Sequence, residues 1–184
     1  ISDDNGLPDL VGRYTLTAGD LTLSLAVFAR PLAYTNGPID SSTTGFGLSA
    51  TGKWMVGKDD VRFGVNSGSG MGRYIALNTA NDAVLDGQGD LQAIDALGYF
   101  ASYRHLWSDQ WRSSFIYSAL SVDNEVALSG LAAIESTESL RLNLFYSPSY
   151  KLSFGGEITH ATRSLESGAD GAMDRLQLFA KLDF

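Results

Sequence analysis

Arg13, Arg30, Lys53, Arg62, Arg104, Arg112, Arg141, Arg163, Arg175 and Lys181 recur where apolar and polar residues alternate, so a period of two turns all of them to one face. On the same segments only Glu157 and Asp183 stand out as acids, and most other carboxylates fall in loops and turns. Rings of Arg and Lys draw anions through an aqueous path, and the planar guanidinium fork suits a carboxylate. Counted along each segment, these bases form two levels. Lys53, Arg62, Arg104, Arg112 and Lys181 lie near short connections, and Arg30, Arg141, Arg163 and Arg175 lie near long ones. Arg62, Arg104 and Arg112 sit on adjoining segments at one level, where their potentials add. The alternative is that each base pairs with a loop acid and serves only solubility and rigidity.

Other candidates for chemistry are sparse. Gly68-Ser69-Gly70-Met71-Gly72 is similar to a phosphate-cradling loop, but its glycine offsets miss the dinucleotide pattern and no helix is expected after it, which suits a bent strand end. Asp82, Asp86 and Asp90 form an acidic loop that would hold a divalent cation, bridge lipopolysaccharide through one, or simply be solvated. His105 and His160 fall on the apolar face near segment ends, without a Cys or His at ligand spacing, which points to an interfacial role. Two scattered histidines offer no dyad for a nucleophile, so an outer-membrane barrel enzyme is disfavoured. No metal and no cofactor is implied.

These residues need strands to position them. The expected strands are 9–17, 21–31, 45–56, 61–71, 95–106, 111–121, 139–147, 151–163 and 174–184, each long enough to cross about 30 Å of bilayer when tilted. Nothing reads as helix. Leu21, Leu23, Leu25, Val27 and Ala29 share one face, as do Leu140, Leu142, Leu144 and Tyr146, and Leu152, Phe154, Gly156 and Ile158. The last segment puts Leu176, Leu178, Ala180, Leu182 and Phe184 on one side, and its aromatic end is the usual close of a bacterial barrel. The fold class is therefore all-β, an antiparallel transmembrane β-barrel with about nine strands in this chain, read as one barrel domain over 1–184 or the C-terminal part of one.

Composition agrees. The 184 residues include no Cys, 20 Gly and 4 Pro and carry a formal charge of −8. That excludes a disulfide framework and a thiolate metal site, and it argues against nucleic-acid binding through a basic surface. No apolar run is long enough for a transmembrane helix. Ile1 does not open a signal peptide, as expected of a mature or cut chain.

Connections sort by length. Ala18-Gly19-Asp20, Gly57-Lys58-Asp59-Asp60, Trp107-Ser108-Asp109-Gln110 and Ser147-Pro148-Ser149-Tyr150 are short, whereas 32–44, 72–94, 122–138 and 164–173 are long. Bacterial barrels keep short turns on the periplasmic side. Trp54, Tyr103, Trp107, Trp111, Tyr146, Tyr150 and Phe184 gather there as an interfacial girdle, which a soluble lipocalin-type barrel would lack. Counting back from a final strand that descends to the periplasm, nine strands leave Ile1 on the extracellular side. Even strand counts are the rule, so either strand 9–17 is misread or upstream strands are missing, and the well-formed hairpin of Asp9–Thr17 with Leu21–Pro31 favours the second. Loop 72–94 is long enough to fold into a lumen or to latch onto a neighbour.

Asp59-Asp60-Val61-Arg62-Phe63, Asn66-Ser67-Gly68-Ser69-Gly70-Met71-Gly72-Arg73-Tyr74, Tyr103-Arg104-His105-Leu106-Trp107-Ser108 with Arg112-Ser113-Ser114, and Leu165-Glu166-Ser167-Gly168-Ala169-Asp170-Gly171 before Arg175-Leu176-Gln177 together resemble the C-terminal half of DcaP-like porins, from about Asp9 onward. The resemblance implies a trimeric channel of roughly sixteen strands in the outer membrane of a Gram-negative envelope, selective for anionic, dicarboxylate-type solutes. The partners it implies are outer-membrane lipid, lipopolysaccharide, small anions and two further copies of the chain. A structural or adhesive barrel without a conducting pore is the other class open to this sequence.

Overall fold

The computed structural model describes residues 8–75 and 79–183. Its elements are β1 (Leu10–Ala18), β2 (Leu21–Asn36), β3 (Ile39–Val56), β4 (Asp59–Ser69), α1 (Gly72–Ile75), β5 (Ala83–Leu85), β6 (Leu91–Ala93), β7 (Asp95–Leu106), β8 (Trp111–Asp123), α2 (Val126–Ser129), β9 (Ile134–Ser149), β10 (Leu152–Leu165) and β11 (Asp170–Leu182). Nine of the strands form one antiparallel meander in the order β1-β2-β3-β4-β7-β8-β9-β10-β11, while β5 and β6 make a separate hairpin. Among the described residues, β1 and β11 lie at the two edges of the sheet and do not pair with each other.

Large apolar side chains are exposed along one face: Leu16, Leu25, Val27, Leu48, Leu142, Ile158, Leu176 and Leu178 all stand out from it. That arrangement is stable only where hydrocarbon, which needs no hydrogen bonds, replaces water. We call this face outer and the face carrying the bases inner. Phe184 and Ile1, which figure in the sequence reading, lie outside the described residues.

Strands extend further than alternation suggests. Residues 32–44 are not a loop: β2 continues to Asn36 and β3 starts at Ile39, around Gly37 at φ 60°. Past the apolar band β3 carries polar side chains on both faces, so Ser41, Ser42, Thr43 and Thr44 lose the alternating signal while still pairing with β2. For the same reason 164–173 is mostly strand, with only a short turn between β10 and β11, and strand also takes in both ends of 122–138, on either side of α2. Two single-turn helices, α1 and α2, also correct the reading that the chain has none. At the opposite end, Gly19 and Gly57 take positive φ in two-residue turns between β1 and β2 and between β3 and β4.

Among the described residues the longest connection is the one between β4 and β7, and its parts 70–75 and 79–94 fold onto the inner face. The two apolar cores among the described residues lie there. Ala80, Ile94, Ala96, Leu120 and Val122 pack with Ile75 and Val84, and Leu32, Ala83 and Leu91 pack with Tyr34, Leu85 and Ala93. The strands make room by omitting side chains. A Cβ on Gly47 would overlap the Met71 side chain, and one on Gly98 would come 2.5 Å from Ile75 Cγ2.

Candidate functional site

The register places several bases on one line across the inner face. Lys53 pairs with Arg62, Arg62 with Ser102, Ser102 with Ile116, Ile116 with Arg141, Arg141 with Thr159, and Thr159 with Arg175. Barrel strands tilt by about 35–45°, so such a row climbs as a ramp. Bases that counting had assigned to two separate levels thus belong to one hydrogen-bonded row. The neighbouring row toward the short turns runs Asp60, Arg104, Ser114, Asn143, Glu157 and Gln177, and it carries acids.

Asp60 is the residue that sequence reasoning misplaced. It was assigned to a turn, but β4 begins at Asp59, which aims Asp60 inward, where it is fully buried. Arg62 Nε donates to its Oδ1 at 2.8 Å, and Arg104 Nη2 meets its Oδ2. The available signal was the spacing of Asp60 and Arg62, two residues apart on one face of a strand.

The remaining bases differ in their surroundings. Arg30 is buried and bonded to Asp82 at 2.7 Å, with Asp9 at 3.7 Å. Arg175 lies 3.6 Å from Glu157, and Lys181 lies 2.9 Å from Asp183. Arg112 stacks its guanidinium over Phe145 at 4.5 Å and donates to Ser147 Oγ at 3.2 Å. Phe145 in turn packs on Phe179, with ring centroids 4.9 Å apart. Arg13 donates to Ser24 Oγ at 3.2 Å. Arg141 and Arg163 have no carboxylate at ion-pair distance among the described residues. Both line a cavity of about 690 Å³ between the in-folded loop and the wall, together with Asn66, Ile75, Ser118 and Ser139.

The acidic loop is built around its own backbone and around Arg30. Asp82 accepts the backbone N–H of Arg73 at 2.9 Å as well as the Arg30 bond. Asp86 Oδ1 accepts the N–H groups of Gln88 and Asp90 at 2.8 and 2.9 Å, and Oδ2 accepts Gln92 Nε2 at 3.0 Å. Backbone donation, first from Asp90 and then from Gln88, holds the Asp86 carboxyl below the ordinary aspartate value. Among the described residues these three acids do not converge as a metal-binding group. Tyr74 packs edge-on against Phe28 at 4.6 Å and bonds to Asp9 through its hydroxyl, which raises its pKa. The glycine-rich stretch does lead into a helix, the single turn α1, because Gly70 at φ 71° turns the chain inward at the end of β4.

Both histidines lie on the outer face, and each has an aspartate that sequence spacing did not reveal. His105 Nδ1 is 2.8 Å from Asp59 Oδ2, which also accepts the Tyr103 hydroxyl at 2.5 Å. His160 Nδ1 is 2.8 Å from Asp174 Oδ1, across the pair of β10 and β11.

No family model and no curated protein matches the chain. Among solved structures it is similar to the outer membrane channel DcaP of Acinetobacter baumannii, with a TM-score of 0.89 at 20% identity over 100% of this chain and 53% of that one. It is also similar to OmpT, an outer membrane protein of Vibrio cholerae folded in vitro, with a TM-score of 0.60 at 13% identity over 92% of this chain and 53% of that one. The chain thus spans about half the length of each. At these identities the likeness shows the fold, that of an outer-membrane β-barrel, and the expected resemblance to DcaP-like porins is borne out at that level.

Proposed function

We propose that this chain forms the wall and the internal loop of an outer-membrane channel through which small anionic solutes, dicarboxylates among them, diffuse. Further strands join the edges of β1 and β11 to close the barrel, and three copies associate in the membrane. The observation that carries this reading is Arg141 and Arg163, which line a large cavity on the inner face together with Glu138 yet have no carboxylate at ion-pair distance among the described residues. A like-charged pair in a low-dielectric wall focuses the field on a narrow aqueous path. The ramp of bases through Lys53, Arg62, Arg141 and Arg175 supports the same direction of charge. Arg112 and Arg163 add to it without an ion-paired acid among the described residues, and Arg30, Arg62, Arg104, Arg175 and Lys181 contribute according to how far their acids offset them.

The test is reversal potential in a salt gradient across a planar bilayer. The full-length protein is expected to prefer chloride over potassium and to be blocked by succinate. Replacing Arg141 and Arg163 together with Gln lowers both, most at low salt, where screening over about 8–10 Å is weakest. A cation-selective wild type overturns the anion preference, and a wild type that does not conduct overturns the channel and favours the structural or adhesive barrel.

A further inference from the structure

Asp60 and its two arginines form a unit that net charge alone does not describe. Asp60 has no exposed surface, yet the side chains of Arg62 and Arg104 are 48% and 32% exposed, so the acid lies hidden behind bases that face the lumen. Arg104 is its direct cross-strand partner and Arg62 its neighbour on the same face. Lys53 stands opposite Arg62 on the next strand. Arg62 spends its Nε on the carboxylate, leaving its two terminal nitrogens, while Arg104 spends Nη2 and buries its Nε, leaving Nη1.

From this geometry we propose that Asp60 is a positioning residue for anions, fixing Arg62 and Arg104 as one carboxylate clamp at the short-turn end of the lumen. The inference rests on the anion-channel reading and deepens it. One carboxylate between two guanidiniums leaves a single positive charge in the clamp, so Asp60 weakens the general attraction of anions. It also removes the rotational freedom of two long side chains, so less entropy is lost when a solute carboxylate engages the fork. The two effects act in opposite directions, and that opposition separates positioning from simple neutralisation.

The full-length protein is measured in planar bilayers as wild type and as Asp60→Asn. The substitution is expected to raise the chloride-over-potassium permeability ratio at low salt, because a negative charge is lost. It is expected at the same time to weaken succinate block about tenfold, because the guanidiniums lose their shared anchor. Opposite movement of the two readouts supports the clamp. If both rise, or if succinate block is unchanged, Asp60 only neutralises and the proposal is overturned. If Asp60→Asn does not yield a folded barrel, Arg62→Lys with Arg104→Lys carries the test, since charge is kept and the fork is lost. The permeability ratio then stays and block weakens, and an unchanged block overturns the clamp. A wild type that is cation-selective or not blocked by succinate overturns the channel reading itself, whereas an anion-selective, blocked wild type with parallel shifts in Asp60→Asn overturns only the clamp.

Discussion

Arg30 and Asp82 meet at 2.7 Å across the inner face although 52 positions separate them, and the arginine is 3% exposed. This contact ties the excursion between β4 and β7 to β2. The backbone N–H of Arg73 bonds to the same aspartate, so one carboxylate joins the start of the loop, its middle and the wall.

Asp82→Ala is therefore expected to loosen the loop. Loss of a hydrogen bond to a buried charged partner costs about 1–3 kcal/mol, tempered by the second acid near Arg30, Asp9. The barrel stays folded while residues 70–94 become accessible to protease and open-channel current noise increases. Wild-type resistance to protease in the variant would show that the apolar contacts alone hold the loop.

The glycines under the loop are expected to differ in tolerance. A Cβ on Gly45 would lie 2.6 Å from the backbone oxygen of Ser69, and backbone cannot step aside, so Gly45→Ala costs about 1–3 kcal/mol. On Gly98 the nearest atom is Ile75 Cγ2 at 2.5 Å, a side-chain methyl on the in-folded loop that can yield where paired sheet backbone cannot, so Gly98→Ala costs less. The temperature at which the folded band converts to the unfolded band on a gel ranks the two. Equal losses would contradict this account.

Labelling tests the faces. A cysteine at Arg141 is expected to react rapidly with a water-soluble thiol reagent, and one at Leu142 to be protected by lipid or detergent. Leu142→Arg carries a penalty of about 2–4 kcal/mol near the bilayer midplane, which Arg141→Leu does not. Rapid modification at Leu142 with protection at Arg141 would reverse the assignment.

The turn around Asp86 is expected to open in acid. Its carboxyl is depressed in the folded state by backbone donors, so the turn gains from ionisation at any pH above the unfolded aspartate value of about 4. That gain disappears as pH falls through the lower folded value. Amide exchange at Gln88 and Asp90, measured at matched intrinsic rates, should accelerate below that window in the wild type and be fast throughout in Asp86→Ala. A pH-independent protection pattern in the wild type would overturn the assignment.

Much of the wall was legible from residue types alone. Leu140, Leu142 and Leu144 alternate with Arg141 and Asn143, and successive side chains of any strand must point to opposite faces, so inner and outer sides follow from local covalent geometry. The long, exposed strands that cross the bilayer and the outward histidines were readable for the same reason. Tertiary structure decided the rest. Residues 32–44 form strands because β2 and β3 pair with each other above the apolar band, where no alternation marks them. Arg30 owes its burial to Asp82, and Asp60 becomes the centre of an arginine pair only because β7 brings Arg104 opposite it. Face is a property of one strand, whereas the charge that a lumen residue presents depends on partners many residues away, and only the register between strands and the path of the loop bring those partners within hydrogen-bond reach.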